Sequence, residues 1–217
     1  MKCPIKKRAR GTEQKRERLE QIIAAASLLL EKHDFGQISM QSVAKEAGIV
    51  KGTLYLYFKT KEELFLELET RELSQFFKLI KEGLAGVCGS DQLPDLLVSI
   101  LEQRNLLLKL MAIANQVLEQ NISFEKAKDF KLGVYDAFKE VVPIVMEKCP
   151  DLKEEQIYSF LVHFISQAIG LWNHSNPAPI IKELYQEVPE LGAMQINFAD
   201  SLKKSARWLL EGVKQEI

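Results

Sequence analysis

The chain reads as all-α, with a small N-terminal three-helix unit followed by a larger helical body, about nine helices in total. Two observations carry that reading. Apolar residues return at steps of three and four along nearly the whole chain, the spacing that lines one face of a helix, and residues suited to helix ends stand where the periodic stretches begin or stop. Composition agrees: of 217 residues 47% are hydrophobic and 27% charged, with only 11 Gly and 7 Pro. That is enough apolar material for a continuous core in one large or two small domains, and too little Gly and Pro for a fibrous or low-complexity chain.

The first helix is marked by Leu19, Ile22, Ile23, Ala26, Leu29 and Leu30, with Arg18, Glu20, Gln21, Glu31 and Lys32 on its other side, and Gly36 ends the segment. Ser39 is a good N-cap for a short second helix carrying Met40, Val43, Ala44 and Ala47, and Gly48 is placed to terminate it in a left-handed conformation. A third helix, roughly Lys51 to Tyr57, must begin only a few residues later. Two helices joined across Ala47-Gly48-Ile49, the second exposing Lys51, Thr53, Tyr55 and Tyr57, make a helix-turn-helix pattern with Val43, Ile49, Leu54 and Phe58 as its small core. Thr60-Lys61-Glu62-Glu63 then opens a fourth helix with a capping box, and its apolar face runs through Leu64, Phe65, Leu68, Leu73, Phe76 and Phe77 to about Glu82.

Beyond Gly83 a connector with Gly86, Gly89 and Pro94 leads to helices expected over 92–102, 104–120, 123–147, 154–173 and 194–214, with a short helix at Pro179–Glu187 between the last two. In the segment 154–173 one stripe holds Ile157, Phe160, Leu161, Phe164, Ile165, Ala168, Ile169 and Trp172, and no charge occurs from Gln156 to Ile181. Such a helix should be covered on more than one side. It is not a membrane span: Tyr158, Ser159, His163, Ser166 and Gln167 interrupt it, and it falls short of the roughly 18 apolar residues a span requires. The last helix has its stripe at Phe198, Leu202, Ala206, Leu209, Leu210 and Val213.

Charge divides the chain. The 29 Lys and Arg nearly balance the 30 Asp and Glu overall, but residues 1–65 hold 13 bases against 8 acids, a net of +5, leaving 16 against 22, a net of −6, in the remainder. One end is therefore suited to a polyanion, either nucleic acid or an anionic membrane surface. Cys3, Cys88 and Cys149 are widely spaced with no CxxC pair, and no export signal is visible, so a reduced, cytoplasmic setting is expected. His33, His163 and His174 are too scattered for a zinc motif, and no GxSxG or phosphate loop occurs. Neither an enzyme, a metal nor a cofactor is expected.

The stretch ISMQSVAKEAGIVKGTLYLYFKTKEEL, residues 38–64, closely resembles the DNA-binding signature of TetR-family transcriptional regulators, and with the helix upstream the resemblance covers roughly residues 15 to 68. It implies roles residue by residue. Lys51 would reach a phosphate or a guanine edge, Thr53 a phosphate or a thymine methyl, Tyr55 and Tyr57 phosphates, and Gly52 would let the backbone approach DNA. Lys61 at the first turn of the fourth helix would favour an anion, and Ser39, Met40 and Gln41 would occupy contact positions, Gln41 being best able to read a base. Two positions depart from the family pattern: Val50 stands where Ser is usual and cannot cap by a side chain, and Leu56, between the tyrosines, offers only apolar contact. The basic residues Lys2, Lys6, Lys7, Arg8, Arg10, Lys15, Arg16 and Arg18 read either as a solubilising arm or, beside such a motif, as an arm on the backbone or minor groove.

The resemblance further implies a DNA-binding domain over 1–62 and an effector-binding and dimerisation domain over 63–217. The expected partners are a double-stranded, palindromic DNA operator, a second copy of the chain, and a small hydrophobic effector that releases a repressor from DNA. Ile157, Phe160, Leu161, Phe164, Ile165, Ala168, Phe198, Leu202 and Leu209 are expected at the dimer interface. Phe65, Phe76, Leu107, Met111, Asn115, Phe130, Tyr135, Phe138 and Trp172 are candidate pocket residues. The rival reading is a helical carrier of apolar ligands or a membrane-surface protein, which would need Trp, Phe or Leu exposed beside the basic residues, whereas residues 1–18 contain only Ile5 as a large apolar side chain.

Overall fold

The computed structural model describes the backbone of residues 5–215 and the side chains of 13–215. Lys2 and the side chains of Lys6, Lys7, Arg8 and Arg10, the outer part of the expected basic arm, lie outside the described residues. Among those described there is no strand. The chain forms α1 (Ile5–Lys32), α2 (Met40–Glu46), α3 (Lys51–Leu54), α4 (Lys61–Leu84), α5 (Leu93–Leu101), α6 (Asn105–Ala114), α7 (Phe124–Lys148), α8 (Glu154–Ser175), α9 (Pro179–Glu187) and α10 (Phe198–Lys214). Nine of these, all but α3, have seven residues or more, and short 3-10 turns stand between several of them.

Three expected helices differ in extent: the third, expected from Lys51 to Tyr57, ends at Leu54 and continues as a turn. The segment read as a helix over 104–120 ends at Ala114, and a 3-10 turn, Leu118–Asn121, takes up the remainder, where the chain passes into the first of two compact units and Leu118 is fully buried. The last helix starts at Phe198 rather than 194 because Asn197 caps it, its side chain accepting from the Asp200 N–H at 3.0 Å.

The first unit comprises the chain through Thr70 together with Ala114–Ala127. The expected domain boundary after residue 62 falls within α4, which begins in this unit and continues beyond it. Its core is built as the helical periods demand: Ile22, Ala26 and Leu30 of α1, Val43 and Ala44 of α2, Leu54, Phe58 and Leu64 are all buried, and Ile49 is half-buried. Each such side chain removed from water contributes about 1.5–3 kcal/mol for a large aliphatic or aromatic group. Phe35 stands edge-on to Phe65, ring centroids 5.2 Å apart. The turn between α2 and α3 hinges on Gly48 at φ +65°, a conformation that costs an L-residue strain and glycine nothing.

The second unit holds Arg71–Ile113 and the chain from Lys128 onward. Its centre is the packing of α8 on α10. Ile157, Phe160, Phe164 and Ala168 of α8 are fully buried, as are Leu202 and Ala206 of α10, and the Gln156 side-chain amide donates to the Val213 carbonyl at 2.7 Å. Six of the nine residues expected at the dimer interface are thereby taken up within one chain. Ile157, Phe160, Leu161, Phe164, Ala168 and Leu202 are buried inside one chain, and Ile165, Phe198 and Leu209 pack partly buried against the same core. The stripe on α8 is hidden because α10 of the same molecule packs on it, and α10 is in turn packed by α5. What α8 and α10 leave outside is a different face, with Val162 53% and Trp208 65% exposed. No helix among the described residues is long and apolar enough to cross a membrane.

Candidate nucleic-acid interface

The site is built on α2, α3 and the N-terminal part of α1. Ser39 caps α2: its hydroxyl accepts from the Ser42 N–H at 3.1 Å, and the Ser42 hydroxyl oxygen accepts from the Ser39 N–H at 3.0 Å. Gln41, one position into the helix, is exposed, whereas Met40 is buried, with a relative exposure of 8%. Met40 is therefore a core side chain and not a DNA contact. Its place on the core face follows from the spacing 40, 43, 44, which puts it beside Val43 and Ala44.

α3 and the turn after it present three faces. Leu54 and Phe58, four residues apart, point into the core. Thr53 and Tyr57, again four apart, face α1, where the Tyr57 hydroxyl donates to the Lys15 carbonyl at 3.3 Å. With Gln14, Lys15, Glu17, Arg18 and Gln21 they line an open polar groove of about 530 Å³. The outward face carries Lys51, Gly52, Tyr55 and Leu56, all exposed, at positions i, i+1, i+4 and i+5 of one helical turn and its extension. The Lys51 ammonium sits 5.8 Å from the Tyr55 ring centroid. Val50 is the N-cap of α3 and makes no side-chain cap bond, as its lack of a polar atom dictates.

Lys61 occupies a different place from the one expected. Its ammonium donates to the carbonyls of Phe35 and Ile38 at 2.8 and 2.9 Å and lies 3.8 Å from the Phe35 ring centroid. Desolvation by burial pushes its pKa below the usual lysine value, and the neighbouring Glu62 carboxylate pulls it back up. The donors that would meet a phosphate are engaged within the unit, so Lys61 fixes the segment entering α2 instead of binding an anion. Thr60 caps α4 as expected, its hydroxyl accepting from the Glu63 N–H at 3.1 Å and donating to the Asn121 carbonyl at 3.3 Å, but the Glu63 carboxylate reaches one residue past the N-cap and accepts from the Lys59 N–H at 2.8 Å.

The candidate pocket residues divide between the two units. Phe65 and Asn115 belong to the first unit, the other seven to the second. Phe65, Phe76, Leu107, Met111 and Phe130 are buried, Phe138 stacks beside Tyr158 at 6.1 Å, and Trp172 meets Phe198 edge-on at 5.5 Å. Asn115 and Tyr135 are exposed to solvent. Five of the nine are thus buried, and helical spacing of apolar residues does not distinguish a core residue from a cavity wall. The groove residues Gln14 and Gln21 carry no expected contact role, although their spacing of four and three about Arg18 places all three on one face of α1. No group of His, Cys, Asp or Glu among the described residues could hold a metal ion.

The family model described as "Bacterial regulatory proteins, tetR family" matches residues 22–68, and the one described as "Tetracyclin repressor-like, C-terminal domain" matches residues 67–217. The fatty acid metabolism regulator protein of Bacillus subtilis (strain 168) is 37% identical over 71 residues, 33% of this chain and 37% of that one. An HTH-type transcriptional regulator of Staphylococcus aureus (strain USA300) is 32% identical over 136 residues, 60% of this chain and 70% of that one. The chain thus spans little more than a third of the length of the first of these relatives. Among solved structures, the fatty acid degradation regulator FadR from Bacillus halodurans aligns with a TM-score of 0.60 at 20% identity, over 90% of this chain and 95% of that one. FadR from Bacillus subtilis in complex with stearoyl-CoA aligns with a TM-score of 0.55 at 20% identity, over 88% and 96%.

Proposed function

The chain belongs to the TetR family of bacterial transcriptional regulators, and on that premise we propose that it is a cytoplasmic repressor. In this reading it binds a palindromic operator as a homodimer and leaves it when a hydrophobic effector binds. The observation that carries the DNA part is the outward face of α3: Lys51, Gly52, Tyr55 and Leu56 stand exposed together while Leu54 and Phe58 anchor the helix from behind. Such a helix enters the major groove, its glycine allowing close approach and its lysine and tyrosine meeting the backbone. Gln41 on α2 reads a base edge, and Ser39 and Thr53 reach phosphates through their hydroxyls. Lys15, Arg16 and Arg18 of α1 extend the positive surface.

Dimerisation is supported by the apolar surface that α8 and α10 leave outside, with Val162 and Trp208 both more than half exposed. Two copies give the two recognition helices a spacing of about one or more DNA turns, roughly 35 Å or longer. The hydrophobic effector is supported by the apolar second unit and by the relative solved with stearoyl-CoA, which makes long-chain acyl thioesters the first compounds to try.

The test is fluorescence anisotropy of the full chain with fragments of the genomic region around its own gene. Saturable binding to one fragment, falling steeply with salt and reversed by an acyl thioester, is the expected result. Equal binding to all fragments would remove the regulator reading, and a monomer by light scattering would remove its symmetry.

A further inference from the structure

The recognition surface has two side chains that do none of the polar work just described. Leu56 is 80% exposed, the most exposed large hydrophobic residue among those described, and Val50 is 73% exposed. A single exposed apolar residue is ordinary on a protein surface. Here both stand at the recognition helix, Leu56 beside Gly52 on its outward face and Val50 at its N-cap. At the N-cap an oxygen-bearing side chain would stabilise the helix, yet the position holds an apolar group aimed at solvent.

We infer that Leu56 and Val50 read thymine methyl groups in the major groove, so that the operator half-site carries thymine where each side chain lands. This rests on the DNA-binding reading above and adds the chemistry of the bases contacted. The major-groove edges of guanine and adenine offer hydrogen-bond donors and acceptors, cytosine adds no more than its C5–H, and thymine alone adds a methyl group, at C5. A leucine pressed against O6, N7 or an exocyclic amine strips water from a polar atom and returns no bond. Against a methyl the same leucine removes apolar surface of both partners from water. The outward face also carries Lys51 and Tyr55, whose charge and hydroxyl suit the phosphates flanking the groove, so the apolar side chains meet base edges while their neighbours hold the backbone.

The experiment uses the full chain and a random duplex pool. Binding sites are selected over several rounds, and each thymine of the enriched site is then replaced by deoxyuridine, which deletes the methyl and keeps the base pair. The expected result is a weakening of about fourfold for each contacted methyl, and about sixteenfold when the same thymine is replaced in both half-sites. Leu56→Ala should weaken binding to the thymine site and abolish the effect of deoxyuridine at one thymine, and Val50→Ala should do so at another. An enriched site that tolerates deoxyuridine throughout overturns the inference and leaves DNA reading intact, as does a deoxyuridine effect that persists unchanged in both variants. A pool with no enrichment overturns the DNA reading and this inference with it.

Discussion

Replacing Lys61 by methionine separates a residue that binds DNA from one that shapes the binder. The substitution keeps most of the aliphatic stem and deletes the ammonium that donates to the Phe35 and Ile38 carbonyls and faces the Phe35 ring. One hydrogen bond from a charged group is worth about 1.5–3 kcal/mol and a cation–π interaction about 0.5–1 kcal/mol. The group is only partly buried, so solvent screening reduces the sum, and about 2–3 kcal/mol is a reasonable total. For a chain of this size that lowers the melting temperature by about 4–12 °C. Thermal unfolding by circular dichroism reads the stability, and anisotropy at several salt concentrations reads the charge count, since the log–log slope becomes shallower by about 0.9 for each phosphate no longer neutralised. Lys61→Met should melt earlier, bind DNA more weakly, and keep the slope of the unaltered protein. Lys51→Met should do the reverse, with an unchanged melting temperature and a shallower slope. Normal melting of Lys61→Met together with a slope lower by about 0.9 per subunit would instead put the ammonium on a phosphate.

Gly48→Ala should destabilise the first unit by about 1–2 kcal/mol in chemical denaturation, because φ +65° strains an L-residue and a Cβ there meets no other atom; Gly48→Asn should cost less. Asp151 has its carboxyl held below the usual value first by the Ser90 hydroxyl that donates to it and then by Lys214, which also bridges Asp91 at 2.7 Å. A lowered folded pKa means this contribution is complete above 3.8 and is lost as pH falls through the folded value, so the melting temperatures of the unaltered chain and Asp151→Asn should converge on acidification. A gap that does not narrow as pH falls below 3.8 would contradict that. In a Cys3→Ser background, Ellman's reagent should find the exposed Cys88 at once and Cys149 only after unfolding, since burial first of all pushes the Cys149 thiol up to about 11. Val162→Glu should halve the mass seen by light scattering without altering the circular dichroism spectrum, and an unchanged dimer would place the interface elsewhere.

Legibility follows the sequence distance of the interactions. Ser39 and Thr60 as caps and Gly48 as a left-handed turn involve partners within four residues, so composition at fixed offsets announces them. The core faces of α1, α2 and α8 are equally legible, because a helical period is a local property. The role of Lys61 is hidden because its partners, Phe35 and Ile38, lie 26 and 23 residues away and contribute carbonyls, which no residue type advertises. Tyr57 likewise spends its hydroxyl on the carbonyl of a residue 42 positions earlier. The stripe on α8 declares that it will be buried and cannot declare by what: α10 of the same chain and a second copy offer the same kind of surface. A pocket is illegible for a related reason, since apolar spacing describes a wall and not the space beside it.

The first unit is discontinuous: after Thr70 the chain departs, and Ala114–Ala127 returns to complete it, with Leu118 fully buried there and the Asn121 carbonyl bonded to Thr60. Modular exchange of this regulator therefore cannot proceed through a single junction. A recombinant joining residues 1–70 to another body would carry the helix-turn-helix and leave behind the returning segment 114–127 that supports it. A working chimera needs three junctions, after Thr70 and on both sides of that segment. The ancestry of such a chain is then constrained by its topology. Operator preference can drift by substitutions on α3, but the reader and the body are inherited together.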